Sequence, residues 1–452
     1  MSRFPLFMSR AWCILKRKRG TGTVCAKHPP GRSGKRSLSP FFPWCILLSA
    51  VAAVGTANGA DTKGNSMSYG EARAFLAKHT NLIELRNDAG ARVAIAPEWQ
   101  GRVMTSTCAG ADGPNFGFVN RDYIEADKYD PRFNNLGAED RMWLCPEGGP
   151  FSLWFKPGAE QVMKNWYTPP ALNEGAWKVV AQRNAAEVRM TAHMKFQNAS
   201  GADFDVDVLR EVRLLGAEDF RQLFGATTAA TLERADAKMV AYETVNQVTN
   251  RGPAFSKEKG LISIWILGMM NAGPKAVIIA PYKSGPEADL GPVVKSDYFG
   301  AVPADRLKIT PEAVLFRADG NFRSKIGISQ RRAHNVLGSI DFEAGVLTLV
   351  QFTMPQEPAK CDYMNNMWGL PQTRPYTGDV ANAYNDGPND LGKRMGAFYE
   401  IESISPAKEL KTGESLGHRH RTIHIQAGAK TLHKLAKQTL GVDLDAVRKA
   451  ME

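Results

Sequence analysis

The chain has 452 residues, 43% hydrophobic and 9% aromatic, which excludes a disordered or fibrous protein and suffices for a large core. Its formal charge of +11 does not mark a nucleic-acid binder. Residues 1–60 hold ten Lys and Arg and no acidic residue, so the rest of the chain has 47 basic against 46 acidic residues, a net of +1.

In chain order, the basic start leads into an apolar run, Phe41 to Val54, too short for a comfortable membrane span. Small residues from Thr56 to Ala60 follow, with cleavage expected after Ala57 or Gly59. Residues 1–60 therefore read as a signal peptide with a long basic leader, and the protein as exported, periplasmic or extracellular, with no membrane span once the signal is removed. An uncleaved anchor is the main rival. Cleavage leaves three cysteines, Cys108, Cys145 and Cys361, an odd number at wide spacing that gives neither a disulfide framework nor a metal pattern.

Residues 61–80 read as a linker and a short helix, Tyr69 to His79, capped by Ser68 with support from Glu71. From 81 to 428 the pattern is β. Strands are predicted at 82–85, 93–96, 102–108, 116–119, 151–155, 177–181, 187–196 and 204–215. Further strands are predicted at 239–248, 262–267, 276–280, 313–316, 346–353, 398–404 and 422–425. Many alternate apolar and polar residues, as in Phe204-Asp-Val-Asp-Val208. No βαβ alternation, phosphate-binding glycine loop or fixed-period repeat interrupts them. Residues 429–452 read as a C-terminal helix, Lys430 to Met451, with Gly441 as a potential break. The fold expected is all-β: one large antiparallel β-sandwich with a short N-terminal helix and a C-terminal helix.

Three clusters carry residues suited to chemistry. The first, 134–154, places Asn135, Glu139, Arg141, Glu147 and Trp154 around Gly-rich turns. Sugar sites need such hydroxyl partners and aromatic faces; the bland alternative is a loop whose acids cap turns and pair with Arg141. The second, 361–387, is a long stretch with hardly any aliphatic content, expected to be a loop, and contains Trp368, Arg374, Tyr376, Asn382, Tyr384 and Asn385. Its alternatives are a ligand-lining loop and a packed cover over a sheet edge. In the third, an extended Phe398 to Ile404 puts Glu400 and Glu402 on one face, and His418, His420 and His424 follow. Two adjacent carboxylates are tolerable on a solvated face or against a hydroxyl-rich ligand. A lone His-x-His is a weak metal signal, and neither metal nor cofactor is expected.

Short segments resemble the galactose-mutarotase-like (aldose 1-epimerase-like) superfamily, in particular an uncharacterised exported bacterial branch. They are Pro97-Glu-Trp-Gln-Gly-Arg102, Val245-Asn-Gln-Val-Thr-Asn250, and the Glu402 strand with its turn through Pro406 and Gly413. The resemblance implies a many-stranded supersandwich and a sugar cleft. It makes Glu402 the match to the general base, with Glu400 second. Where that family has a histidine acid after Thr-Asn, this chain has Arg251, which cannot readily donate a proton but could bind a carboxylate or sulfate. Glu402, Glu400 and His418 are thus the catalytic candidates. The partner expected is a saccharide, acidic ones included, with no nucleic acid. The alternative is a non-catalytic, envelope-associated interaction protein on the same fold.

Overall fold

The computed structural model describes residues 67–233, 237–389 and 392–452. The leader expected at 1–60 lies outside them. Ser68 caps the helix Tyr69–Leu76 in a reciprocal box with Glu71, as expected. The expected C-terminal helix is two, Ala429–Thr439 and Leu444–Met451, parted by Gly441 at φ 75°.

Between them the described residues form three antiparallel sheets of three, ten and five strands. The ten-stranded sheet has Val346–Phe352, Ser415–Gln426, Lys238–Asn250 and Asp203–Leu214 as consecutive neighbours near its middle. The five-stranded sheet runs Ser324–Ser329, Asp379–Asn385, Phe398–Ile404, Ser263–Asn271, Arg141–Cys145. These two sheets pack face to face as a β-sandwich, as expected from the strand-rich pattern. Alternation explains the larger sheet: Phe204, Val206, Val208 and Val212 are buried along one strand. Its other face is covered by the C-terminal helices and by Ala217–Phe224 and Ala226–Glu233, around a second apolar cluster containing Leu347, Ile423 and Leu435.

The space between the sheets also holds polar groups in pairs, as burial demands. Arg210 meets Asp140 with both side chains fully buried. Ser403 Oγ lies 2.8 Å from both His418 Nε2 and His420 Nδ1. His424 Nε2 lies 3.0 Å from Glu139 Oε1, and Ser106 Oγ donates to the same oxygen at 2.6 Å. These contacts fix the side of the Phe398–Ile404 strand: Ser403 faces the larger sheet, so Glu400 and Glu402 face away from it.

The structure differs from the expected strands where burial is complete. Residues 116–119 and 151–155 are not strands. Three of the five strands of the smaller sheet, Arg141–Cys145, Ser324–Ser329 and Asp379–Asn385, were not expected. The stretch expected as a loop between 361 and 387 therefore ends in a strand. Each is buried along nearly its whole length, so no polar face gives the alternation that marks a strand. Among the described residues, no helix is long and apolar enough to cross a membrane.

Candidate functional site

The outward face of the smaller sheet gathers charge that its neighbours neutralise. Glu402 is the Cα partner of Asn382 on one side and of Leu267 on the other, and Leu267 is in turn the partner of Arg141. Glu400 stands opposite Tyr384, and Tyr384 opposite Lys325. One face thus carries Arg141, Trp265, Glu400, Glu402, Asn382, Tyr384 and Lys325, from all five strands.

Glu402 is fully buried and fully engaged. Lys325 Nζ donates to both of its oxygens at 2.9 Å, and Trp265 Nε1 donates to Oε2 at 2.8 Å. Burial acts to lower the Lys325 pKa, but the carboxylates of Glu402 and Glu147 outweigh it and hold the ammonium above its ordinary value. Among the described residues Glu400 has one hydrogen-bond partner, Arg141, whose Nη2 donates to Oε1 at 2.8 Å. Burial raises Glu400 to about 7, opposed by Arg141 and reinforced by Glu402. The two neighbouring carboxylates are thus tolerated without a solvated face: each has its own buried cation.

Aromatic rings wall this face. The Arg141 guanidinium lies 4.1 Å from the Trp143 ring centroid, Trp143 packs on Trp154 at 4.4 Å, and Trp154 stacks on Trp166 at 5.4 Å. Trp166 Nε1 donates to Glu147 Oε1 at 2.9 Å. Burial raises the Glu147 pKa, against the pull of Lys325. At the other edge, Tyr298 donates a short hydrogen bond to Asp379 and accepts from Asn382 Nδ2 at 3.1 Å, while Lys295 Nζ donates to Asp379 Oδ2 at 3.1 Å. Beyond Asp379 and Lys295 opens a cavity of about 580 Å³, also lined by Gly327, Asn365, Arg374 and Thr377.

Of the residues singled out in the sequence, the fold brings together Glu400, Glu402, Arg141, Glu147, Asn382 and Tyr384. Trp368 joins them from the side, packed edge-on against Phe155 at 5.1 Å and placed to donate to Glu147. Arg374 lines the cavity. Trp154 is buried within the indole wall, and its Nε1 donates to Leu144 O. The others lie elsewhere. Asn135 donates to Met395 O, and Asn385 ties Phe322 O to Gly320 N. Tyr376 stacks on Phe151 and bonds Lys257 O. Glu139 and His418 are buried between the sheets, on the far side of the smaller sheet from Glu402. Arg251 is half exposed and pairs with Asp207 at 2.6 Å, beside His193 on the same carboxylate. The sequence reading missed Lys325, Trp265, Lys295, Tyr298 and Asp379. A lone lysine within Ser324-Lys-Ile-Gly-Ile was the available signal, since a lysine among buried strand residues needs a partner.

No curated relative matches the sequence. Three solved structures show the level of likeness. A putative aldose 1-epimerase from Escherichia coli K12 aligns over 77% of this chain and 99% of its own at 11% identity, with a TM-score of 0.44. A galactose mutarotase-like protein from Lactobacillus casei ATCC 334 aligns over 76% and 100% at 10% identity and a TM-score of 0.41. A putative aldose 1-epimerase from Klebsiella pneumoniae subsp. pneumoniae MGH 78578 aligns over 82% and 84% at 12% identity and a TM-score of 0.43. Likeness this distant leaves any activity to be argued from the residues of the site. A family model matches residues 67–451, and the chain belongs to that family, a family of unknown function (DUF6786).

Proposed function

We propose that this protein binds a saccharide against the Glu400/Glu402 face and performs epimerase-type proton transfer on it. The observation that carries this reading is the pair of buried carboxylates on one strand face, each held by its own cation within walls of indole rings. Sugar recognition needs charged acceptors and donors for hydroxyls and flat aromatic surface for ring C–H groups. Ring opening needs a carboxylate poised near neutrality, and the pKa of Glu400, near 7, meets that need. The adjoining cavity gives a ligand room beyond Asp379, and its wall mixes Lys295, Arg331 and Arg374 with Glu287, Asp289 and Asp379, donors and acceptors for sugar hydroxyls. Export to the periplasm or cell exterior, expected from residues 41–60, belongs to the same proposal.

A thermal-shift screen of the full chain against neutral sugars, uronates and sulfated oligosaccharides tests it, with Glu402→Gln in parallel. A sugar that raises the melting temperature of the parent chain but not of the variant supports the reading. No shift with any sugar sinks it and favours an interaction protein.

A further inference from the structure

A second cavity, of about 380 Å³, lies where the turns 272–275 and 341–345 meet at one end of the sandwich. Thr348, Tyr399 and His424 line its inner wall. Tyr399 shares a strand face with Ser403, so the cavity is on the opposite side of that strand from Glu400 and Glu402. Its wall is fixed. His424 Nδ1 lies 2.8 Å from Thr348 Oγ1, its Nε2 is on Glu139, and Phe116 stacks on its ring at a centroid distance of 4.4 Å. Tyr399 OH lies 2.7 Å from Ser339 Oγ.

Two asparagines on this wall have polar atoms to spare. Thr105 Oγ1 accepts the Gly117 N–H at 3.1 Å, so its own hydrogen goes to Asn115 Oδ1, which leaves Asn115 Nδ2 turned away from it. Asn271 gives its Nδ2 hydrogens to Asn115 O at 2.8 Å and Gly117 O at 3.2 Å. Each amide is thus pinned at one end. The other ends, Asn115 Nδ2 and Asn271 Oδ1, are buried without a hydrogen-bond partner among the described residues, and Asn115 is only 7% exposed. A buried donor and acceptor left open are costly unless something meets them. One spare donor and one spare acceptor suit a hydroxyl, which both gives and takes a hydrogen bond.

Charge then selects among hydroxyl compounds. The charged lining is Asp341 and the exposed Glu343, with no lysine or arginine. Asp341 Oδ1 caps the turn by accepting from Glu343 N at 2.8 Å and Ala344 N at 3.0 Å. Its Oδ2 has no hydrogen bond among the described residues and lies over Gly273, where a Cβ would collide with it. An anionic ligand would meet two carboxylates and no cation, whereas an ammonium group would find both. The cavity beyond Asp379 carries both signs and makes no such choice.

We propose that the inter-sheet cavity is a binding site for a small hydroxylated amine, an amino alcohol of up to monosaccharide size. The ammonium group lies at Asp341 Oδ2 and Glu343, a hydroxyl meets Asn115 Nδ2 and Asn271 Oδ1, and the carbon atoms rest on Phe116 and Met270. The site is separate from the saccharide face and does not depend on that reading.

The test is methyl NMR of the full chain labelled with [13C]methyl-methionine, with the Met270 signal identified through Met270→Leu. Affinities are read from that signal for serinol and D-glucosamine, for their neutral counterparts glycerol and D-glucose, and for the anions glycerate and D-glucuronate. The two amines are expected to shift Met270, with the neutral compounds about tenfold weaker or more and the anions without effect. Asp341→Asn keeps the oxygen that caps the turn and removes the charge, and should weaken the amines about tenfold. Glu343→Gln, at an exposed position, should weaken them less, and neither variant should change the melting temperature of the free protein. Amines that leave Met270 unmoved overturn the proposal. So do amines that bind no better than their neutral counterparts, or that bind both charge variants as tightly as the parent chain.

Discussion

Lys325 and Glu402 are joined by two hydrogen bonds of 2.9 Å each, although one stands on an edge strand of the smaller sheet and the other two strands inward. The reach passes over Asp379–Asn385, so the pair ties three strands together on one face. Replacing one partner leaves the other as an uncompensated buried charge. Lys325→Met should cost about 3–5 kcal/mol in chemical denaturation. Adding Glu402→Leu to it should recover a large part. A double variant no more stable than Lys325→Met would show that the ion pair is not what the single change breaks.

Trp265 contributes a ring to the wall and an N–H to Glu402. Trp265→Phe keeps most of the ring and removes the donor. A loss of about 1–3 kcal/mol is expected from the carboxylate's lost partner, measured by urea unfolding against Trp143→Phe, whose indole bonds no carboxylate among the described residues.

Glu400 and the inter-sheet histidines give stability opposite slopes with pH. The folded-state pKa of Glu400, about 7, lies above its ordinary value of 4.5, so the folded state holds the extra proton between those values. Its contribution is full below pH 4.5 and is lost as pH rises through 7. Burial depresses His418 to about 3 and His420 to about 4, with the neighbouring cations adding to both effects. Their contribution is full above pH 6.5 and is lost as pH falls towards 3. Melting temperature against pH should therefore lose its decline between pH 4.5 and 7 in Glu400→Gln, and His418→Gln should soften the fall at acid pH. Identical profiles in the parent and both variants would refute this.

Gly327 has no room for a side chain: a Cβ there would come within 2.3 Å of Asp379 Oδ2 and 2.8 Å of Asn382 Nδ2. Both are held, Asp379 by Lys295 and Tyr298. Gly327→Ala should displace Asp379, open the Lys295 contact and weaken any ligand that enters the cavity, read as a smaller ligand-induced thermal shift.

Arg251 makes the contrasting case. It stands half exposed on Asp207, away from the carboxylate face. Arg251→Ala should change stability by less than about 1 kcal/mol and leave ligand-induced shifts untouched. A lost shift would bring Arg251 back as a binding residue.

The carboxylate strand was legible because Phe398 to Ile404 alternates and is followed by a turn rich in Pro and Gly. The long strands of the larger sheet were legible for the same reason. Three strands of the smaller sheet were not, because a strand covered on both faces can lose the period of two: Asp379-Val-Ala-Asn-Ala-Tyr-Asn385 reads as polar irregular chain and folds as a fully buried strand. The site partners went unseen with it, since Lys325, Asn382 and Tyr384 meet Glu402 and Glu400 only through that sheet's register. His418 and Glu139 looked like site residues by type. Their opposite side follows from the parity of Ser403, which only the pairing of two sheets reveals.

The three cysteines of the described residues are free. Burial lifts the thiols of Cys108 and Cys145 to about 11 and about 12, so neither offers a thiolate near neutral pH. Cys361 is partly exposed and follows the short turn Pro358–Lys360, whose Ala359 lines the large cavity. Among the described residues this leaves one addressable sulfur, at the cavity's edge. A maleimide fluorophore placed there would watch that opening fill, in real time and without any substitution among the described residues.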